Sequence, residues 1–213
     1  MQAPYAEISR YLGYKGSAPD QQTKLLIDEC YAELMQVATP RAVSKQLPAQ
    51  TANNKVIICN HTIDSPKFAK HLGNIESVYL LCITLGIGVD KLLLTYSKTH
   101  VTKQVIMQAC AAAAIEDFAD QQEDEITKKV ESQGLFTRKR FSPGYGDVSL
   151  EHQPWILNQT QATKLIGIEL TDSLMLRPSK SVTAIIGVSK TKSCVVHKCD
   201  ICTQTNCAYK QNN

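Results

Sequence analysis

The spacing of apolar residues changes several times along the chain, and each change marks an element. Leu25, Leu26, Cys30, Leu34 and Val37 recur at intervals of three and four, which places them on one face of a helix. Asp20 is positioned to cap that helix, which runs to Val37, and Pro40 stops it. A shorter helix over residues 7–12 precedes it, broken off by Gly13, Gly16 and Pro19. Beyond Pro40 the pattern becomes a loose alternation over residues 41–47. A short apolar run follows at 56–59, and Asn53-Asn54 lies between the two as a turn, so both runs read as strands. Asp64 or Ser65 can cap a helix ending at Leu72, before Gly73. Residues 77–85 form an apolar run with β-branched members, which predicts a central strand. It ends in Thr84-Leu85-Gly86-Ile87-Gly88, which lacks the third glycine of a dinucleotide fingerprint and reads either as a strand-to-helix turn or as a pocket wall where a ligand nears the backbone.

No glycine or proline occurs from Val89 to Gln133, and residues 97–99 divide this stretch into two helices. The second begins near Val101. Its apolar stripe is Val101, Val105, Ala109, Ala112, Ile115 and Ala119, and the run Ala111–Ala114 permits close approach of another element. Glu116 lies beside this stripe, where a carboxylate either meets an amine or a hydroxyl or simply reaches out to water. Residues 123–125 read as a solvated acidic face. Residues 150–163 are helical in pattern, with Pro154 in the first turn and Trp155, the single tryptophan, as a core anchor. Residues 165–170 and 182–188 are the clearest late strands. The 11 residues between them are too few for a crossover helix, which predicts a hairpin-like antiparallel pair with the long helix packed across the sheet.

Composition narrows the function classes. The chain has 213 residues, 43% hydrophobic and 20% charged, with a formal net charge of +3, as in an ordinary globular protein. Basic residues are dispersed and no aromatic–basic platform occurs, which argues against nucleic-acid binding. The start MQAPYAEISRYLGY lacks the basic region and apolar core of a signal peptide, and no apolar run nears the roughly 18 residues of a membrane span. These features predict a cytoplasmic protein with reduced thiols. Cys30, Cys59, Cys82 and Cys110 lie in apolar contexts and read as core residues.

Two stretches carry chemistry. The first is RKRFSPGYGDVSLEH, residues 138–152, with three cations in succession followed by Ser142, Pro143, Gly144 and Tyr145. Proline fixes its own φ and glycine accepts positive φ, so this sequence predicts a tight turn presenting Tyr145 near Arg140. A guanidinium takes a carboxylate in bidentate fashion, and a phenol stacks or donates, which suits the lip of a pocket for a small zwitterionic or anionic ligand. A basic surface loop is the plain alternative. The second stretch is the tail after residue 190, where Cys194, Cys199, Cys202 and Cys207 fall within 14 residues. Such thiolates can converge on zinc or an iron–sulfur cluster, exchange disulfides, or stay inert. The spacing does not separate zinc from a cluster.

RFSPGY resembles the R-x-x-x-G-Y motif of the activation domain of vitamin B12-dependent methionine synthase. The segments GIELTDSLMLRPSKSVTAIIGVS and HLGNIESVYLLCITLG, and the alanine-rich helix ending in IED, are similar as well. The resemblance covers most of the chain, as residues 1–190, with 191–213 as an appended cysteine-rich tail typical of standalone relatives. It implies an α+β fold, a single C-shaped domain with a twisted antiparallel sheet and one long alanine-rich helix. It further implies binding of S-adenosylmethionine (AdoMet) and support of the reductive methylation of cob(II)alamin. The chain would then be an activation component of a cobalamin-dependent methyltransferase. By resemblance, Arg140 clamps the AdoMet carboxylate, Gly144 and Tyr145 shape the wall, Ser142 offers backbone groups toward adenine, and Glu116 is the acid on the long helix. Cobalamin would be presented by a partner, a methionine synthase or related corrinoid protein, with an electron-donor protein as a further partner. The alternative is a metal- or cluster-binding docking module for a corrinoid protein, without AdoMet chemistry.

Overall fold

The structure is a computed structural model and describes residues 3–14 and 18–192. They form an α+β fold whose residues group into two compact units. Among the described residues one comprises 3–14, 18–37 and 91–114, and the other 38–90 and 115–192.

In the first unit, α1 (Tyr5–Tyr11) and α2 (Gln21–Val37) join the C-terminal part of α4 (Ile87–Thr99) and the N-terminal part of α5 (Val101–Glu131). The Asp20 carboxylate accepts from the Thr23 N–H at 2.7 Å, the cap expected from sequence. The buried face of α2 is Ile27, Cys30, Tyr31 and Leu34, whereas Leu25 is exposed. The expected stripe of α5 holds at Ala109, Ile115 and Ala119 but not at its start, where Val101 and Val105 are exposed and Ile106, Met107, Cys110, Ala111 and Ala113 are buried. Lys103 pairs with Glu29 at 2.6 Å, and the Tyr96 hydroxyl donates to Glu33.

The second unit is built on a six-stranded antiparallel sheet of order β3-β2-β1-β4-β8-β5. The strands are β1 (Arg41–Ala52), β2 (Lys55–Ile58), β3 (His61–Asp64), β4 (Ser77–Thr84), β5 (Phe136–Thr137) and β8 (Ser181–Ser189). Strand β1 runs five residues beyond its apolar alternation because it pairs on both sides, with β4 along its first part and with β2 from Ala49 to Ala52. In β4 all residues after Ser77 are buried, which requires cover on both faces. Val78, Leu80 and Cys82 pack in one cluster with Phe68 and Leu72 of α3 (Pro66–Leu72), Ile156 and Leu157 of α6 (Gln153–Thr160), and Ile166 of α7 (Ala162–Ile166). Tyr79, Leu81 and Ile83 point the opposite way, where the second half of α5 lies. There Lys129 Nζ is 5.6 Å from the Tyr79 ring, and the Thr127 and Thr137 hydroxyls are 2.9 Å apart. Ser65 caps α3, its hydroxyl accepting from the Phe68 N–H at 3.0 Å.

The late hairpin differs from expectation. Leu165 and Ile166 are helical, because Gln161 takes a left-handed conformation that ends α6 and starts α7, and Gly167 closes α7. What remains of the first strand is β6 (Glu169–Leu170), which pairs with β7 (Leu176–Arg177) in a separate two-stranded sheet. Strand β8 is buried from Thr183 to Ser189 and lies between β4 and β5, a position that covers it on both sides. Trp155 is only half-buried and stacks on His61 at 4.1 Å, although it touches the core cluster.

Candidate functional site

Arg138 and Arg140 are two residues apart yet project to opposite faces of the sheet. Thr137 pairs with Val188 on β8, and Phe141 bridges to Ile185. Four steps along one chain oppose three along the other, so one extra residue is accommodated as a β-bulge. Arg138 donates its N–H to the Gly187 carbonyl at 2.8 Å, and Phe141 donates to Ile185 at 3.0 Å. Lys139 takes up the difference, its carbonyl accepting from His71 Nε2 at 2.7 Å. Arg138 therefore sits on the α3 side of the sheet and Arg140 on the α5 side.

On the α5 side the Arg140 guanidinium meets three carboxylates of that helix. Nη2 donates to Glu116 at 2.8 Å, and Nη1 donates to Glu123 at 2.6 Å and to Asp120. Glu116, Asp120 and Glu123 stand at i, i+4 and i+7, one face of a helix. Glu123 also accepts from the Arg140 backbone N–H at 3.2 Å and pairs with Lys139 at 3.5 Å. Burial alone would pull the Arg140 guanidinium down, but Asp120 and Glu123 outweigh it and push it up. The arginine and Glu123 are buried. Glu116 is 38% exposed and Asp120 66%, so both have room to change partners. Glu123, expected on a solvated face, is instead the buried centre of this cluster, because the bulge delivers a cation to it.

The turn predicted after Arg140 forms. Tyr145 donates its N–H to the Ser142 carbonyl at 3.2 Å across Pro143 and Gly144, and Gly144 has φ +90°. This is the positive φ that the third position of a type II turn requires. A Cβ on Gly144 would stand 2.9 Å from Leu150 Cδ2, so the position excludes a side chain on two counts. A second turn closes from Val148 N–H to the Tyr145 carbonyl at 3.1 Å, and Asp147 fastens it to Ser65 and to the Lys67 N–H. Tyr145, 68% exposed, is held out between these two turns.

No protein-family model and no curated protein matches the chain. Among solved structures, the MetH reactivation domain bound to AdoHcy is similar, with a TM-score of 0.65 at 15% identity, over 92% of this chain and 79% of that one. The fold is that of the MetH reactivation domain.

On that fold the structure joins Arg140 to Glu116 directly and sets Ser142, Gly144 and Tyr145 in the turn that follows. Asp120 and Glu123 are the members that motif reading passed over, although their helical spacing from Glu116 was present in the sequence. A cluster of three carboxylates and two cations has a net charge of −1. Two surface clefts of the same unit lie elsewhere. One, of about 410 Å³, is bordered by Thr51, Asn74 and Thr191, and the other by Asn53, Pro66 and Lys70; neither wall includes Arg140 or Tyr145.

Cys194, Cys199, Cys202 and Cys207 lie outside the described residues. Among the described residues no group of three or more His, Cys, Asp or Glu could hold a metal, and no helix is long and apolar enough to cross a membrane. Cys30, Cys82 and Cys110 are buried as expected, and burial pushes their thiols up to about 11, 11 and 12. Cys59 differs. It is exposed, in a positive-φ turn between β2 and β3 that its apolar neighbours did not foretell. His61 Nε2 lies 3.0 Å from His152 Nδ1, one ring edge-on to the other.

Proposed function

We propose that the chain is an AdoMet-binding reactivation module for a cobalamin-dependent methionine synthase or related corrinoid protein. The reading rests on one coincidence. A fold shared with the MetH reactivation domain over 92% of the chain carries an R-x-x-x-G-Y turn beside an acidic helix face. The charges support it. A ligand carboxylate takes over donors of Arg140 as the exposed Asp120 and Glu116 turn toward the ligand's ammonium and ribose hydroxyls. Tyr145 lies against the ligand's flat portion, and Ser142 supplies backbone groups. Reactivation of cob(II)alamin needs a methyl group and an electron, and AdoMet supplies the methyl group. The cobalt belongs to the partner, since the chain has no D-x-H-x-x-G corrinoid motif. The electron comes from a donor protein or from a cluster on the cysteine tail.

The second reading is a docking module without AdoMet chemistry, with zinc or an iron–sulfur cluster in the tail. The observation favouring it is that Arg140 is already engaged by three carboxylates. Calorimetric titration with AdoMet separates the two. Tyr145→Ala leaves the fold intact because the ring is exposed, and it should weaken AdoMet about tenfold through lost ring contact. Glu116→Gln should weaken it by a similar factor. Unchanged affinity in both variants, or no binding by the wild type, would favour the docking module.

A further inference from the structure

Arg140 is surrounded by carboxylates, but Arg138 has none among the described residues. The residue is 7% exposed, and its partners among the described residues are all neutral. Nε donates to the Leu72 carbonyl at 3.0 Å and Nη1 to the Thr191 carbonyl at 3.0 Å. Nη2 donates to the Ser189 and Thr191 hydroxyls at 3.1 and 3.3 Å. These four bonds use four of the five donors, and the fifth, on Nη1, has no acceptor among the described residues. Leu72 is the last residue of α3, so the helix end offsets a fraction of the charge. Among the described residues no full counter-charge is present, and buried cations are ordinarily paired. Burial accordingly pulls this guanidinium down, with no acidic neighbour to restore it.

The residues that hold Arg138 also form the wall of a cleft. Ser189 and Thr191 line the 410 Å³ cleft together with Gln50, Thr51, Asn74, Ile75, Glu76 and Lys190, and Arg138 stands behind Ser189 and Thr191, outside the wall itself. Lys190 is a second cation at the rim, 73% exposed and paired with Glu76. Arg138, Lys190 and Glu76 leave one uncompensated positive charge. The amide and hydroxyl side chains around it are the donors that an oxyanion accepts. The sequence around β8 is arranged to bring the guanidinium here. Gly187 has no side chain where Arg138 Cγ crosses β8, and a Cβ there would meet Leu72 Cδ2 at 2.8 Å and Arg138 Cγ at 3.1 Å.

We propose that this cleft binds a small oxyanion, the carboxylate or phosphate end of a metabolite, with Arg138 as the buried counter-charge and Lys190 as the rim cation. The site is on the opposite face of the sheet from Arg140 and Glu116, and it does not depend on AdoMet binding. The test is a two-dimensional NMR titration of the full chain with sodium phosphate and, in parallel, sodium succinate, against sodium chloride at matched ionic strength. The Arg138 Nε–H signal and the amides of Asn74, Glu76 and Thr191 should shift saturably with one or both anions, with a Kd of about 1 mM or tighter. The anion that saturates identifies the class. Lys190→Gln, exposed and harmless to the fold, should weaken binding about tenfold, and Lys190→Arg should restore it. Shifts equal to those in chloride, or saturable shifts that spare Arg138 and are unchanged in Lys190→Gln, would overturn the proposal.

Discussion

Removing Glu123 should destabilise the protein far more than removing either other carboxylate on Arg140. Both Glu123 and Arg140 are buried, so each is the other's main replacement for water. In Glu123→Gln, Arg140 loses its 2.6 Å charged contact, the backbone N–H acceptor at 3.2 Å weakens, and a buried cation is left under-compensated. Breaking a buried pair in this way costs about 3 kcal/mol, or roughly 6–12 °C in Tm for a chain of this size. Asp120 is 66% exposed and Glu116 38%, so Asp120→Asn and Glu116→Gln should each cost about 1 kcal/mol or less. Arg140→Met should cost about 4 kcal/mol, because it strands Glu123 among two like charges. The pair act together, so Glu123→Gln with Arg140→Met should cost about 4 kcal/mol and not the sum of the two, a coupling of about 3 kcal/mol. Urea unfolding followed by circular dichroism at pH 7, with a constant m-value across the set, measures each corner. Additivity within about 0.5 kcal/mol, or Glu123→Gln no worse than Asp120→Asn, would refute the buried-pair reasoning.

Two further outcomes are expected. Gly144→Ala should cost about 1–2 kcal/mol, through its φ of +90° and the clash with Leu150, and should weaken AdoMet binding by releasing Tyr145; adding Leu150→Ala should recover only the steric part in the same urea assay. The His61–His152 pair should make stability depend on pH. Burial lowers both imidazoles, His152 adding to the effect at His61 and Glu151 opposing it at His152, so the unfolded chain binds protons more readily than the fold. Stability is then full above the usual histidine value of about 6.5 and declines as pH falls toward the lowered folded values. Urea midpoints from pH 8 to pH 5 should show this, with a flatter profile in His152→Asn, and a midpoint that rises toward pH 5 would contradict it.

Local chemistry was legible in the sequence wherever one residue type has one conformational answer. Asp20 and Ser65 capped their helices, Pro143-Gly144 made its turn, and β4 took the centre of the sheet because an uninterrupted apolar run needs cover on both faces. The acidic face of α5 was equally present as Glu116, Asp120 and Glu123 at i, i+4 and i+7. Its burial was not, since nothing in a helical period says that a cation will arrive from another strand. The same limit explains residues 165–170, whose apolar, strand-like pattern lost to a left-handed residue at Gln161 and a helix end at Gly167. It holds most plainly for Arg138 and Arg140. Strand alternation puts residues two apart on one face, and their sequence, Arg-Lys-Arg, carries no sign of the bulge. Only pairing with β8, three residues against four, turns one arginine to the acidic helix and the other to the α3 side of the sheet, because register is fixed by the partner strand and not by the chain that follows it.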